Sequence, residues 1–143
     1  MTPKEYLSNI RKRDLEMLAL EDAVLDQHTK LTRISPVLSD MPSGGPQDDK
    51  MASGIVKLIE LKEKLNIAID NICVEKEQVH EMIKEIEDPT YRQILYERYF
   101  NYKCFEEIAM ITSYSYYEII RKHGHALQAF QIVKDRKTTQ LLT

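Results

Sequence analysis

Apolar residues recur every seven positions along two long segments of the chain, a pattern typical of helices that pack side by side. In the first segment, residues 3 to about 34, the repeat is Ile10, Met17, Val24 and Leu31. Its companion positions are partly polar: Tyr6, Arg13, Leu20, Gln27 and Ile34. Pro3 suits the first turn of a helix, where its missing N–H costs little. The segment predicts a long helix with an imperfect heptad seam.

The second segment, residues 51 to about 87, has a more regular repeat. Its seventh positions are all aliphatic: Leu58, Leu65, Ile72, Val79 and Ile86. About 35 helical residues span roughly 50 Å, which is too long for an isolated helix in a compact chain of this size. We expect this helix to pair antiparallel with the first helix as a hairpin, and with another copy as a coiled coil. The repeat does not decide between the two pairings.

Residues 35–50 separate the two segments. They contain three of the five prolines and two of the four glycines of the chain. Such a composition interrupts a helix, so the sequence predicts a loop here.

A third helix is predicted to start at Asp88 and Pro89. Asp is a favourable N-cap and Pro a favourable first helical residue. The helix should bury Ile94, Leu95 and either Tyr99 or Phe100. Asn101 is the residue expected to take a left-handed conformation and end the helix.

The stretch from Phe105 to Phe130 has the spacing of a helix-turn-helix. Ala109 stands where two helices cross closely, Ser113 stands at the turn, and Ile119 stands where the second helix buries an apolar residue. Ser115 is a natural N-cap for that second helix, and Glu118 completes a capping box. A helix presented in this way can lie in the major groove of DNA.

These elements predict an all-α protein. Residues 1–87 form a helical hairpin or coiled-coil stalk with its loop at 35–50, and residues 88–136 form the helix-turn-helix unit. The last helix is expected to run from Ser115 to about Lys134, with residues 137–143 as a frayed tail.

Charge is distributed unevenly along the chain. The net charge is −3, but residues 1–90 carry −6 and residues 91–143 carry +3. The basic end coincides with the predicted helix-turn-helix, as expected for a surface that meets phosphates. Because the excess is small, a dimer or a larger partner would help a monomer that binds DNA weakly.

Other chemistry is not indicated by the sequence. No apolar run approaches the roughly 18 residues of a membrane span, and no signal-peptide pattern is present, so we expect a cytoplasmic protein with no membrane partner. The sequence shows no nucleophile–base arrangement and no phosphate-cradling loop. His123 and His125 lie two apart, so on a helix they do not share a face. We therefore expect no catalytic residue, metal site or cofactor.

Candidate DNA contacts lie around the start of the final helix. Arg121 is the strongest, because arginine can donate two parallel hydrogen bonds to guanine. Tyr116 and Tyr117 can contact phosphates or thymine methyl groups, with packing against the preceding helix as the alternative. The full set of expected DNA-binding residues is Lys103, Ser115, Tyr116, Tyr117, Ile120, Arg121, Lys122 and His125.

The span from Asp88 to Phe130 resembles region 4 of bacterial sigma-70-type factors. The matching pieces read Arg98-Tyr99-Phe100, Glu106-Glu107-Ile108-Ala109, Ser115 and Ala126-Leu127. Nearly the whole chain also resembles a narrower group of small phage and prophage proteins of Gram-positive bacteria. The pieces that carry this second resemblance are KEYLSNIRKRD, DKMASGIVKLIELKEKLN, EDPTYRQILYERYF and SYSYYEIIRKHGHALQAF.

The resemblance implies a phage-encoded, DNA-binding transcription regulator that binds double-stranded DNA, with host RNA polymerase as a candidate partner. We also expect self-association through the helical stalk. The alternative is a protein-interaction module that binds polymerase or another phage protein with little DNA contact. A purely structural coiled-coil protein is a third alternative, but it leaves the spacing of Ala109 and Ile119 without a reason.

Overall fold

The computed structural model describes the backbone of residues 1–38 and 46–142, and the side chains of residues 1–33 and 49–142. Throughout this part of the chain the regular structure is helical. The helices are α1 (Pro3–Leu38), α2 (Pro46–Lys84), α3 (Pro89–Tyr99), α4 (Phe105–Thr112) and α5 (Tyr116–Leu142). The all-α prediction is confirmed, with a long antiparallel α1–α2 pair followed by shorter helices.

The start of α1 is fixed by a capping box. The Glu5 backbone N–H donates to the Thr2 hydroxyl at 3.2 Å, and the Thr2 N–H donates to the Glu5 carboxylate at 2.8 Å. Pro3 is the first helical residue, as predicted. Hydrogen bonds to the Glu5 carboxylate from the Thr2 backbone N–H and the Thr2 side chain lower the pKa of this carboxyl, since they favour its ionised form.

The predicted loop is shorter in the structure than in the sequence analysis. Residues 35–38 belong to α1 and residues 46–50 belong to α2, so these parts of the loop prediction were wrong. Pro46 is the first residue of α2, a position where proline does not interrupt the helix. The remainder of the predicted loop, residues 39–45, lies outside the described residues.

The chain divides into two compact units. The hairpin unit is Arg13–Asn71, and the head unit comprises Met1–Lys12 and Ile72–Thr143. The division falls within the two long helices. The predicted domain boundary at residues 87 and 88 coincides with the connection between α2 and α3, and it stays a prediction.

The hairpin unit contains little buried side-chain surface. Among its described residues, only Leu31 and Gln27 are buried. The Gln27 amide donates to the Gly54 carbonyl oxygen at 3.1 Å, so α1 and α2 approach closely here. The predicted seam positions Met17 and Leu58 are only half-buried.

The head unit holds the core of the protein. Its seam positions Ile10, Ile72 and Val79 are buried, as is Phe130 of α5. The Phe130 ring lies 6.0 Å from that of Tyr6. In this unit, therefore, the heptad residues of α1 and α2 are part of a core to which α5 also contributes.

The connection from α2 to α3 matches the sequence prediction. The Asp88 side chain accepts the Thr90 N–H at 2.8 Å, and Pro89 is the first residue of α3. The Arg92 guanidinium donates to the carbonyl oxygens of Ile86 and Glu87. Ile86 and Glu87 lie in the connecting segment, so this arginine of α3 satisfies carbonyl groups of the connection and ties it to α3.

The end of α3 differs from the prediction in one residue. Tyr102, not Asn101, has the left-handed conformation, with φ at 56°. The Asn101 N–H instead donates to the Tyr96 carbonyl oxygen at 3.1 Å. The Arg11 guanidinium lies 5.5 Å from the centre of the Tyr102 ring. This cation–π contact helps to offset the cost of a positive φ in a tyrosine.

The final helix is longer than predicted. Residues 137–142, expected to be frayed, continue α5 as far as Leu142. The Lys137 ammonium lies 3.4 Å from the Glu85 carboxylate, which holds this part of α5 near the end of α2. No helix in the described ranges is long and apolar enough to cross a membrane.

Candidate nucleic-acid interface

Three short stretches of helix pack together around four buried side chains. The cluster consists of Ile94 from α3, Ile108 and Ala109 from α4, and Ile119 from α5, with the Phe105 ring packed against it. All three isoleucines are fully buried. Burial of this apolar surface is what fixes α5 at an angle to α4.

The predicted roles of Ala109 and Ile119 are confirmed. Ala109 is buried in the cluster that joins α4 to α5, where the methyl group lets the two helices approach. Ile119 is the apolar residue that α5 buries against α4. A larger side chain at position 109 would push the helices apart, because a close-packed core does not yield freely to added volume.

The turn between α4 and α5 is residues 113–115. Ser113 lies at the turn, as predicted, and has φ 62° and ψ 22°, a left-handed conformation. The hydroxyl of Thr112 donates to the Ile108 carbonyl oxygen at 2.7 Å, so it satisfies a carbonyl near the end of α4. The reversal of the chain is therefore built from local hydrogen bonds and one strained serine.

Ser115 caps α5 as predicted. Its hydroxyl accepts the Glu118 backbone N–H at 3.2 Å. The same hydroxyl donates to the Glu118 carboxylate at 3.2 Å. Ser115 and Glu118 thus fix the direction of the first turn of α5, and the negative charge of Glu118 lies favourably near the helix N-terminus.

The first turns of α5 present one continuous exposed face. Tyr117 is 82% exposed, and Tyr116 and Ile120 are exposed to a lesser degree. Arg121 is exposed as well, and no ion pair of its guanidinium occurs among the described side chains. The Tyr116 and Tyr117 rings contact each other edge to face, with centroids 5.7 Å apart. These four residues are brought together as the sequence analysis expected.

Besides Ser115, the cap of α5, three further candidates are engaged in contacts within the protein. The Lys103 ammonium lies 2.8 Å from the Glu97 carboxylate. The Lys122 ammonium lies 4.7 Å from the centre of the Tyr114 ring. The His125 ring stacks on Tyr91 with centroids 6.5 Å apart. Each of these side chains would have to leave its partner, or share it, in order to contact a phosphate.

Arg98 is part of the scaffold that joins α3 to α4. Its guanidinium lies 4.2 Å from the centre of the Phe105 ring and donates to the Lys103 carbonyl oxygen at 3.1 Å. The Lys103 backbone N–H in turn donates to the Glu97 carbonyl oxygen at 2.9 Å. Arg98 therefore ties the connection between α3 and α4 to both helices.

A buried polar pair underlies the interface and was missed by the sequence analysis. His123 Nε2 lies 2.8 Å from the Tyr99 hydroxyl, and both residues are buried. Burial, together with the positive charges of Arg98 and Lys4, lowers the pKa of His123 to about 4. Burial also raises the pKa of Tyr99 to about 12, with Arg98 opposing this shift. The histidine is therefore neutral at pH 7.

A second feature missed from the sequence is apolar exposure on α4. Met110 is 83% exposed, and its neighbour Ile111 is exposed too. Buried Ile108 and Ala109 precede them, so α4 has one face in the cluster and one in solvent. Helical spacing would have predicted the exposure of Met110 and Ile111, because they lie on the face of α4 opposite the buried pair.

The rest of α5 anchors this interface within the head unit. Ala126, Phe130 and Val133 continue the buried face that begins at Ile119. The Lys134 ammonium lies 3.9 Å from the centre of the Tyr6 ring. The same helix thus has an exposed face over its first turns and a buried face that runs from Ile119 to Val133. Across the described residues, no group of three or more His, Cys, Asp or Glu side chains is arranged to hold a metal ion.

Comparison of the chain with protein-family models, with curated protein sequences and with solved structures gave no significant match.

Proposed function

We propose that the protein is a phage or prophage transcription regulator that binds double-stranded DNA through the start of α5. The observation that carries this proposal is the exposed face formed by Tyr116, Tyr117, Ile120 and Arg121 on a helix held by the α3–α4–α5 cluster. A helix fixed against two others by a short turn is the arrangement with which helix-turn-helix proteins enter the major groove.

Arg121 is the residue proposed to read a base. It is exposed and lies in the second turn of α5, where side chains can reach base edges. A guanidinium contacts guanine through two hydrogen bonds, a pairing worth about 1–3 kcal/mol of discrimination. The hydroxyls of Tyr116 and Tyr117 are suited to phosphate contacts, which orient the protein without reading sequence.

The side chain of Ile120 gives the face an apolar part. It is exposed between Tyr117 and Arg121 along the helix. An aliphatic group in the major groove can contact the methyl group of thymine. A site that combines guanine with neighbouring thymine is accordingly the sequence class we expect.

Lys103, Lys122 and His125 have a secondary role in this proposal. They contact Glu97, Tyr114 and Tyr91, respectively, so their first role is to stabilise the packing of these helices. Any phosphate contact that they add would be electrostatic, so it would weaken steeply with salt.

The experiment is selection of bound duplexes from a random DNA pool, followed by titration of the enriched duplex with wild type and Arg121→Ala. The variant should bind about 5- to 150-fold more weakly, the equivalent of about 1–3 kcal/mol. Arg136→Ala is the matched control, because Arg136 is an exposed arginine of the same helix beyond the anchored part.

Equal losses in Arg121→Ala and Arg136→Ala would indicate general electrostatic binding and would contradict base reading. No enriched duplex at low salt would contradict DNA binding itself.

One observation favours a second candidate function, a protein-interaction module. Met110 and Ile111 give α4 an exposed apolar surface of its own. Exposed apolar patches mark surfaces that bind proteins. Host RNA polymerase or another phage protein would then be the partner, with little DNA contact. Binding of purified bacterial core polymerase by wild type, lost in Met110→Glu and retained in Arg121→Ala, would support this candidate over DNA reading.

A further inference from the structure

A small cavity lies in the head unit where the start of α1 meets the end of α3. Its volume is about 90 Å³, and it is lined by Ser8 and Arg11 of α1, Arg98 and Tyr99 of α3, and Tyr102 of the connection to α4. These side chains supply two guanidinium groups and three hydroxyl groups, and no carboxylate lines the cavity. A cavity of this size has room for several water molecules, and hence for one small ion.

The residues from α1 lie on one face of the helix. Lys4, Ser8 and Arg11 are four and three positions apart, so their side chains are neighbours along α1. The Arg11 guanidinium is exposed and lies 5.5 Å from the centre of the Tyr102 ring. Within the described part of the chain it forms no ion pair. The contact with the ring face orients the guanidinium without using its N–H donors, which stay available to a ligand.

Arg98 is fixed from the opposite side of the cavity. Its guanidinium lies 4.2 Å from the centre of the Phe105 ring and donates to the Lys103 carbonyl oxygen at 3.1 Å. A guanidinium has five N–H donors, so most of them remain for other partners. The Glu106 carboxylate near Arg98 is exposed, where water and salt screen its charge. Arg98 is therefore a pre-positioned donor, and little side-chain ordering is required when a ligand binds.

The negative end of α3, which would disfavour an anion, is covered by hydrogen-bond donors. The Tyr96 carbonyl oxygen accepts the backbone N–H groups of Phe100 and Asn101, and the Glu97 carbonyl oxygen accepts that of Lys103. The Glu97 carboxylate itself lies 2.8 Å from the Lys103 ammonium. The negative groups at this helix end are thus already bonded.

The electric field around the cavity is positive. Burial, together with the charges of Arg98 and Lys4, lowers the pKa of His123, whose ring is bonded to the Tyr99 hydroxyl in the cavity wall. These two cations therefore act on the same region of the head unit as Arg11. An anion in the cavity would be attracted by all three positive charges.

Tyr102 has an uncommon backbone conformation at this point. Its φ of 56° is unfavourable for an aromatic residue, and such residues are concentrated at sites that bind ligands. The conformation places the Tyr102 side chain in the cavity wall, against Arg11.

We propose that this cavity binds a phosphate group. A guanidinium can bind two oxygens of an oxyanion through parallel hydrogen bonds. Two arginines from separate helices, with hydroxyl groups between them, suit a tetrahedral group whose oxygens point in several directions. A planar carboxylate has only two oxygens and fits one of the arginines.

The phosphate has two possible sources, a small phosphorylated molecule or the backbone of DNA. None of the cavity residues belongs to the exposed face of α5, so the site itself is independent of base reading by Arg121. Only the second source rests on the proposed DNA binding.

The test titrates the full chain with inorganic phosphate at constant ionic strength. Proton–nitrogen NMR spectra follow the backbone amides of Ser8, Tyr99 and Tyr102, which should shift in a saturable way. Arg11→Gln should bind phosphate at least about tenfold more weakly, because it removes a charge-assisted hydrogen bond. Lys12→Gln is the matched control. Lys12 is the next residue of α1, is exposed and lies outside the cavity, so this variant should bind like wild type.

A second variant keeps the test decisive if Arg11→Gln disturbs the fold. Ser8→Ala removes one hydroxyl from the cavity and leaves both guanidinium groups in place. It should weaken phosphate binding about 2- to 12-fold, the effect of one lost neutral hydrogen bond. Wild-type affinity in Ser8→Ala and in every folded Arg11 variant would overturn the proposal.

Three further results would overturn it. The first is the absence of a saturable shift at these amides in wild type. The second is equal affinity for acetate, which would indicate a carboxylate site. The third is an equal loss in Lys12→Gln and Arg11→Gln, which would indicate general attraction to a basic surface.

A short DNA duplex of random sequence then distinguishes the two sources. Weaker duplex binding by Arg11→Gln, but not by Lys12→Gln, assigns the cavity to a phosphate of the DNA backbone. Equal duplex binding by the three proteins, with phosphate binding still lost in Arg11→Gln, assigns it to a small phosphorylated molecule. Phosphate binding is measured without DNA, so failure of the proposed DNA binding would leave that result unchanged.

Discussion

The head unit and the hairpin unit use the same kind of sequence in different ways. In the head unit, apolar residues of α3, α4 and α5 close a core that includes Ile108 and Ile119, both fully buried. In the hairpin unit, aliphatic residues such as Leu18 remain exposed. The difference teaches that helical periodicity alone does not produce a core. A core also requires further helices that pack across the first two. Among the described residues, only the head unit has such helices.

The largest expected difference between the two units comes from removing the same side-chain volume from each. Ile119→Ala should lower the free energy of unfolding by about 2–5 kcal/mol, since it leaves a cavity in a closed core. Leu18→Ala should change it by less than about 0.5 kcal/mol when measured at concentrations where the chain is monomeric. Urea denaturation followed by circular dichroism measures both. Similar losses in the two variants would show that the hairpin unit has a core of its own.

The buried histidine of the head unit should make the free energy of unfolding depend on pH. His123 is neutral in the folded chain with a pKa of about 4, against 6.5 for the unconstrained side chain. The unfolded chain therefore binds more protons between these values, and stability falls as pH decreases from 6.5 towards 4. Because of this histidine, the free energy of unfolding should be about 2 kcal/mol lower at pH 5 than at pH 7.

His123→Gln should remove that part of the pH dependence, although it lowers stability at pH 7 by disturbing the bond to Tyr99. The measurement is the unfolding free energy at pH 7 and pH 5. His125→Gln is the control, because His125 is an exposed histidine on the same helix and the buried pair stays intact. A pH dependence unchanged by His123→Gln would contradict the burial of a neutral imidazole.

The smallest expected effects come from two helical glycines, one in each unit. A Cβ added at Gly124 would meet nothing within 4 Å, so Gly124→Ala should stabilise the chain by about 0.5–1 kcal/mol. A Cβ added at Gly54 would lie 2.6 Å from the Leu31 Cδ2 atom. Gly54→Ala should therefore gain less, or lose stability, because the leucine has to move. Thermal melts compare the two, and equal gains would show that α1 and α2 are not in close contact at Gly54.

Local signals in the sequence were sufficient for much of the head unit. The Asp88 cap, the Ser115 cap and the spacing of Ala109 and Ile119 each depend on residues close together in the chain. Their physical basis is hydrogen bonding within one helical turn, or packing across one short turn. For this reason the packing of Ala109 and Ile119 across the turn between α4 and α5 could be predicted from the sequence.

Contacts between distant residues could not be predicted in the same way. His123 and Tyr99 meet across two helices, and nothing in the spacing of either residue indicates the other. Tyr102, and not Asn101, has the left-handed conformation. Its ring contacts the guanidinium of Arg11 in α1, a residue distant in sequence. The heptad repeat predicts the seam between α1 and α2 but not the exposure of Leu18 and Leu25, because a repeat along one helix does not show which of its other faces are covered.

Base-pair discrimination is the property that separates a base-reading α5 from a helix that only contacts phosphates. The measurement compares affinities for the enriched duplex and for duplexes with single base-pair changes, with wild type and with Arg121→Ala. Wild type should lose about 1–3 kcal/mol of binding free energy at one guanine, and the variant should bind both duplexes equally at that position. If Arg121→Ala keeps the full discrimination of wild type at every position, Arg121 does not read a base and the proposed role of α5 is wrong.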